Sequence, residues 1–113
     1  MTGYDIYKRV CSHLGYDPQE ENEGVLQRTE EFLVQIGYDL RLNIPKGMSK
    51  ELNLTPSSAD ALVYGIVMME AVSRNDSGHA LMFNQLYNAK RMAFLKETST
   101  REDVLPNLSS GGM

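Results

Sequence analysis

The sequence predicts an all-α protein: a four-helix bundle-like domain over residues 1–97 and an extended C-terminal arm over residues 98–113. Three observations carry this. Apolar residues recur at spacings of three and four in segments separated by Gly, Pro and Asn-Asp breaks. One segment, 59–72, is apolar around nearly its whole circumference, as the central helix of a bundle is. The helical period then stops at TSTREDVLPNLSSGGM.

The first predicted helix covers Gly3–Leu14, with Tyr4, Tyr7, Val10, Cys11 and Leu14 along one face. Gly15 suits a C-terminal cap, and Asp17-Pro18 forces a break. PQEENEG reads as a solvated acidic connection, with Asn22 or its neighbours capping the next helix. In that helix Val25, Thr29, Phe32, Leu33, Ile36 and Leu40 form the apolar stripe, and Glu20, Glu21 and Glu23 suit the positive end of its dipole. Gly37 inside it marks a close contact or a bend, and the helix ends before Pro45. IPKGMSKELNL reads as an irregular loop that packs a few apolar side chains.

Thr55-Pro56 is a strong start for the third helix, a hydroxyl cap followed by proline at the first helical position. Gly65 in its middle lets a neighbouring helix approach closely. Asn75-Asp76 ends it, and Ser77 is the expected cap of the fourth. There Met82, Phe83, Leu86, Tyr87, Ala89, Ala93 and Phe94 make one broad stripe. Lys90, Arg91 and Lys96 gather in the last expected turns, where the dipole favours cations.

At 113 residues and 42% hydrophobic content, the chain is long enough for one domain that buries roughly two-thirds of its unfolded surface. Net charge is −4 and the isoelectric point about 5.1, which argues against a dedicated nucleic-acid binder, although a local basic patch escapes an average. A single cysteine, Cys11, excludes an internal disulfide, fits a reducing compartment and reads as a small core residue. MTGYDIYKR lacks the apolar stretch of a signal peptide, and the longest apolar run, Ala61–Met69, is too short to span a bilayer. A soluble cytoplasmic protein without membrane contact is expected.

The sequence offers no catalytic, cofactor or metal site, so a non-enzyme is expected. His13 and His79 lack a Cys or carboxylate at ligand spacing and read as exposed or capping side chains. The acidic cluster Asp17, Glu20, Glu21 and Glu23 lacks the glycine and interleaved small residues of a calcium loop. No serine sits in GxSxG, and no glycine-rich phosphate loop occurs.

Glu70 interrupts the most apolar helix. Either it marks a wet edge with Arg74, one turn later, as its partner, or it pairs across a subunit contact. Glu70, Arg74, Met92 and Leu95 are therefore candidate subunit-interface residues, the last two because they point away from the main stripe of helix four. The tail carries Val104, Leu105, Leu108 and Met113 around Pro106, and purely disordered tails tend to avoid such residues. Extended at about 3.3 Å per residue, it reaches on the order of 50 Å, far enough to dock along a partner.

The order ADALVYGIVMMEAVSRND, a polar turn, FNQLYNAKRMAFLKE and REDVLP resembles the small head-to-tail connector (adaptor) proteins of tailed bacteriophages. IYKRVCSHLGYDP is similar to the family's first helix with its Leu-Gly break, so the resemblance covers about residues 3–106. It implies a virion neck protein, assembled in the host bacterial cytoplasm, that forms a ring of typically twelve copies beneath the portal protein. Such a ring extends the DNA channel, passes genomic DNA without sequence-specific binding, and meets a downstream neck or tail protein. It further implies that the arm, Arg101–Met113, docks on the portal through Arg101, Val104, Leu105, Pro106, Leu108 and Met113. The chain is short for the family, which leaves little room for tail-binding insertions.

Two other classes compete. A small cytoplasmic helical interaction or regulatory module, antitoxin-like and without catalytic activity, predicts a monomer or dimer whose tail folds on a protein partner. A DNA-packaging subunit needs a basic recognition helix, for which Lys90–Lys96 is the sole candidate.

Overall fold

The computed structural model describes the backbone of residues 1–19 and 23–110, and the side chains of residues 1–19 and 24–98. Within these the protein is all-helical: α1 (Gly3–Leu14), α2 (Glu23–Asp39), α3 (Pro56–Ser73) and α4 (Ser77–Ser110). The only strand-like pairing among the described residues is an isolated bridge between Thr2 and Glu51.

Helix α1 begins with a capping box. The Thr2 hydroxyl accepts the Asp5 amide, and the Asp5 carboxylate accepts the Thr2 amide at 2.8 Å. These bonds hold the Asp5 carboxyl below its ordinary range, the backbone bond from Thr2 contributing most. The buried face is Ile6, Tyr7, Val10 and Cys11. Tyr4, expected on that face, is instead 46% exposed. Gly3 lies close on the 41–55 loop, where a Cβ would stand 3.0 Å from Met48.

Three helices end in the same way. Within two residues of the helix end one residue takes a left-handed conformation, and two amides return to the last-turn carbonyls, the Schellman arrangement. After α1 that residue is Gly15 (φ 75°), after α3 Asn75 (φ 58°), and after α2 Arg41 (φ 59°). Leu42 N donates to Gly37 O at 2.8 Å and Arg41 N to Tyr38 O at 3.0 Å. So α2 stops well short of Pro45, at a residue type that gives no stop signal.

Helix α3 is the spine. α1, α2 and α4 all pack on it, and α1 also meets α2. Ala61, Leu62, Val63, Ile66, Val67 and Ala71 have no exposed surface, as its apolar circumference predicts. Thr55 caps it, accepting the Ser58 amide at 3.2 Å, with Pro56 in the first turn. Gly65 lets α2 and α4 close on α3 at once: a Cβ there would lie 2.6 Å from Ile36 Cγ2 and 2.8 Å from Tyr87 Cε1. Gly37 is likewise a contact rather than a bend, with Ile44 Cγ1 filling the place where a Cβ would be.

The 41–55 loop is irregular, as expected, and buries Met48 and Leu52. It is tied to the N-terminus by Leu52 N donating to Met1 O (2.7 Å) and Tyr4 N to Met48 O (3.1 Å). The Met1 ammonium also pairs with Glu51.

Candidate interaction surface

Helix α4 starts on Asp76 rather than on Ser77. The Asp76 carboxylate accepts the His79 amide at 3.2 Å and meets His79 Nδ1 at 2.7 Å, which holds its carboxyl below the ordinary range. Phe83, Tyr87 and Phe94 then turn inward onto α3. Towards α1 and α2 the links are made by side chains. The Phe83 ring meets the ring of His13 on α1 at 5.4 Å and the ring of Tyr64 on α3 at 5.8 Å. Asp39, at the end of α2, accepts the Tyr87 hydroxyl and, at 2.8 Å, Arg91 Nε. Burial pushes the Tyr87 phenol well up, and its bond to Asp39 adds to the shift.

The broad stripe read from the sequence is therefore split by the fold. One half, Phe83, Tyr87 and Phe94, is core. The other half, Met82, Leu86, Ala89 and Ala93, faces solvent at spacings of four, three and four. Met82 is 47% exposed and Leu86 39%. Leu81 and Met92 stand beside them, and Val72 is exposed at the end of α3. Scattered apolar exposure is ordinary; here the exposed apolar residues share one face of α4.

The four candidate interface residues separate. Met92 is 68% exposed and belongs to this surface; Leu95 is half-buried. Glu70 is not at an edge. Its side chain has no exposed surface, and Arg28 of α2 holds it in a two-pronged pair, Nε to Oε1 at 2.8 Å and Nη2 to Oε2 at 2.9 Å. The expected Glu70–Arg74 pair does not form. Glu70 points inward from α3, where Arg28 reaches it across the interface with α2. Arg74 instead lies over the Tyr16 ring, 4.5 Å from its centre. The hydrogen bond to Glu70 holds the Arg28 guanidinium above its ordinary range. Cys11 is buried, and burial pushes its thiol up.

The helix assigned to α4 runs from Ser77 to Ser110, past the expected boundary at residue 97. Thr98 is still helical, its hydroxyl donating to Phe94 O at 3.0 Å. The side chains of Arg101, Val104, Leu105, Pro106 and Leu108, and Met113 entirely, lie outside the described residues. So do Glu20, Glu21 and Asn22 of the acidic connection.

Two outward-facing residues escaped the sequence reading. Val34 is 45% exposed and Tyr38 86%, both on the side of α2 opposite its buried stripe. Their spacing from Glu31 and Gln27 was the available signal. Among the described residues no three His, Cys, Asp or Glu are placed to hold a metal ion, and no helix is long and apolar enough to cross a membrane. No protein-family model, curated protein or solved structure matches the chain.

Proposed function

We propose that this chain is a non-catalytic assembly subunit: an adaptor of a phage neck that forms a ring under the portal and extends the DNA channel. The carrying observation is the outward face of α4, where Met82, Leu86, Ala89, Ala93 and Met92 remain uncovered after the core is complete. Burying apolar area at about 25 cal/mol per Å² drives association, and a helix face with this spacing accepts a second helix. The net charge of −4 suits a conduit that must not grip DNA. In this proposal Arg101–Met113 docks on the portal, and a downstream neck or tail protein binds the opposite side of the ring.

The test is co-assembly. The purified chain is mixed with the portal protein of the same genome and followed by light scattering and negative-stain microscopy. A ring of added mass beneath the portal is expected, with truncation after residue 97 abolishing it. A chain that never associates with portal, and instead recovers a host enzyme from lysate, would belong to a regulatory module.

A further inference from the structure

The outward ridge of α2 is Gln27, Glu31, Val34 and Tyr38, all exposed, at the same four-three-four spacing as Met82, Leu86, Ala89 and Ala93 on α4. Both helices pack on α3, and each ridge is the side of its helix turned away from the core. We propose that the α4 ridge of one copy seats antiparallel on the α2 ridge of the next copy. This assigns the surfaces of the ring and rests on the ring proposal above.

The antiparallel direction follows from what each ridge carries. Along α2 the order from the N-terminal side is polar and acidic, then apolar: Gln27 and Glu31, then Val34 and Tyr38. Along α4 it is large and apolar, then small: Met82 and Leu86, then Ala89 and Ala93, with exposed Lys90 on the flank. Run antiparallel, Met82 meets Tyr38 and Leu86 meets Val34, a thioether-on-ring and an aliphatic contact. Ala89 then stands opposite Glu31, which brings Lys90 beside that carboxylate. Run parallel, Leu86 would stand opposite Glu31 and Tyr38 opposite Ala93, so the large apolar side chains of the two ridges would not meet.

Seating α4 on α2 covers both ridges. Pairing α4 with α4 about a two-fold axis leaves Val34 and Tyr38 uncovered and sets Lys90 against Gln85 instead of a carboxylate. Because the two ridges belong to different helices, the contact in a ring runs head to tail, whereas a reciprocal two-fold dimer would stop the double variant at a linked dimer. The head-to-tail contact repeats from copy to copy and closes into a ring when the rotation allows.

The experiment is disulfide trapping of the full chain, with helical circular dichroism checking that each variant folds. Val34→Cys and Leu86→Cys proteins are mixed and oxidised, with exposed Ser12→Cys as the control; native Cys11 is buried and common to all. The expected product is the mixed dimer of Val34→Cys with Leu86→Cys, about ten-fold above either homodimer and above the control. The double variant should give a ladder of linked oligomers. Lys90→Glu should cut the mixed product several-fold, and adding Glu31→Lys should restore it. Dominance of the Leu86→Cys homodimer, yields at the control level, or failure of the charge reversal to restore linking each overturns the assignment. If wild-type copies still assemble with portal while the mixed disulfide does not form, the ring stands and this interface is wrong. If neither occurs, both fail.

Discussion

Removing Arg28 should destabilise the protein far more than its half-exposed position implies. Both Glu70 oxygens are bonded by Arg28 and the Glu70 side chain has no exposed surface, whereas the Arg28 side chain is 39% exposed. In Arg28→Ala the carboxylate stays in the core without its cation. Breaking a buried pair from one side costs about 3–5 kcal/mol. The exposure of Arg28 opens a route for water into the vacated space, which places the loss near the lower end, about 3 kcal/mol. For 113 residues the entropy of unfolding is roughly 0.24 kcal/mol per kelvin, so Tm should fall by about 13 °C. Arg28→Lys keeps the charge but loses the two-pronged fit and should cost about 1–2 kcal/mol. Replacing both partners, Arg28→Met with Glu70→Met, should recover most of the loss, because the desolvation penalty disappears with the pair. Urea unfolding of the wild type, Arg28→Met, Glu70→Met and the double variant as a double-mutant cycle, beside Arg28→Ala and Arg28→Lys, reads all of this. A loss below about 1 kcal/mol for Arg28→Ala would refute the claim that this pair clamps α2 to α3.

Three further outcomes are expected. Arg41→Gly should stabilise the fold by about 0.5–1 kcal/mol in a thermal melt, since Arg41 sits at φ 59° where glycine carries no Cβ penalty. Gly65→Ala should destabilise by about 1–2 kcal/mol. Overpacking against Ile36 and Tyr87 at roughly 2–3 kcal/mol outweighs the helix-propensity gain of about 1 kcal/mol, and a stabilised variant would mean that α2 and α4 can move apart freely. Burial, aided by a bond to Cys11, pushes the Tyr7 phenol up to about 12. Between about pH 10 and that value the unfolded chain has already lost a proton that the folded chain keeps, so stability should fall as pH rises through this window. Tyr7→Phe should lessen the fall in a pH series of melts, the raised Tyr87 phenol accounting for the remainder, and an unchanged slope would contradict the assignment.

The fold was legible wherever a local signal and the global packing agreed. Thr55-Pro56 starts α3, Gly15 closes α1, and the all-round apolar segment became the spine. The α2 stop was not legible, because Arg41 adopts a left-handed conformation that its residue type does not announce. Glu70 was misassigned for a related reason. Its in-helix neighbour Arg74 lies at the right sequence spacing, but the side chain that reaches it, Arg28, is 42 residues away. The candidate surface was half legible. The apolar stripe of α4 could be read, but which half of it faces α3 could not.

Sequence alone determined that there are four helices, where three of them begin, and that most of residues 59–72 must be enclosed. These follow from caps, breaks and period, which act within a few residues. Only the tertiary structure decided that Glu70 is clamped by Arg28, that Asp39 ties α2 to Tyr87 and Arg91, and that Met82, Leu86, Ala89 and Ala93 stay outside. Those are contacts between distant segments. An apolar face is an equal invitation to the core or to another molecule until the other helices have taken their places.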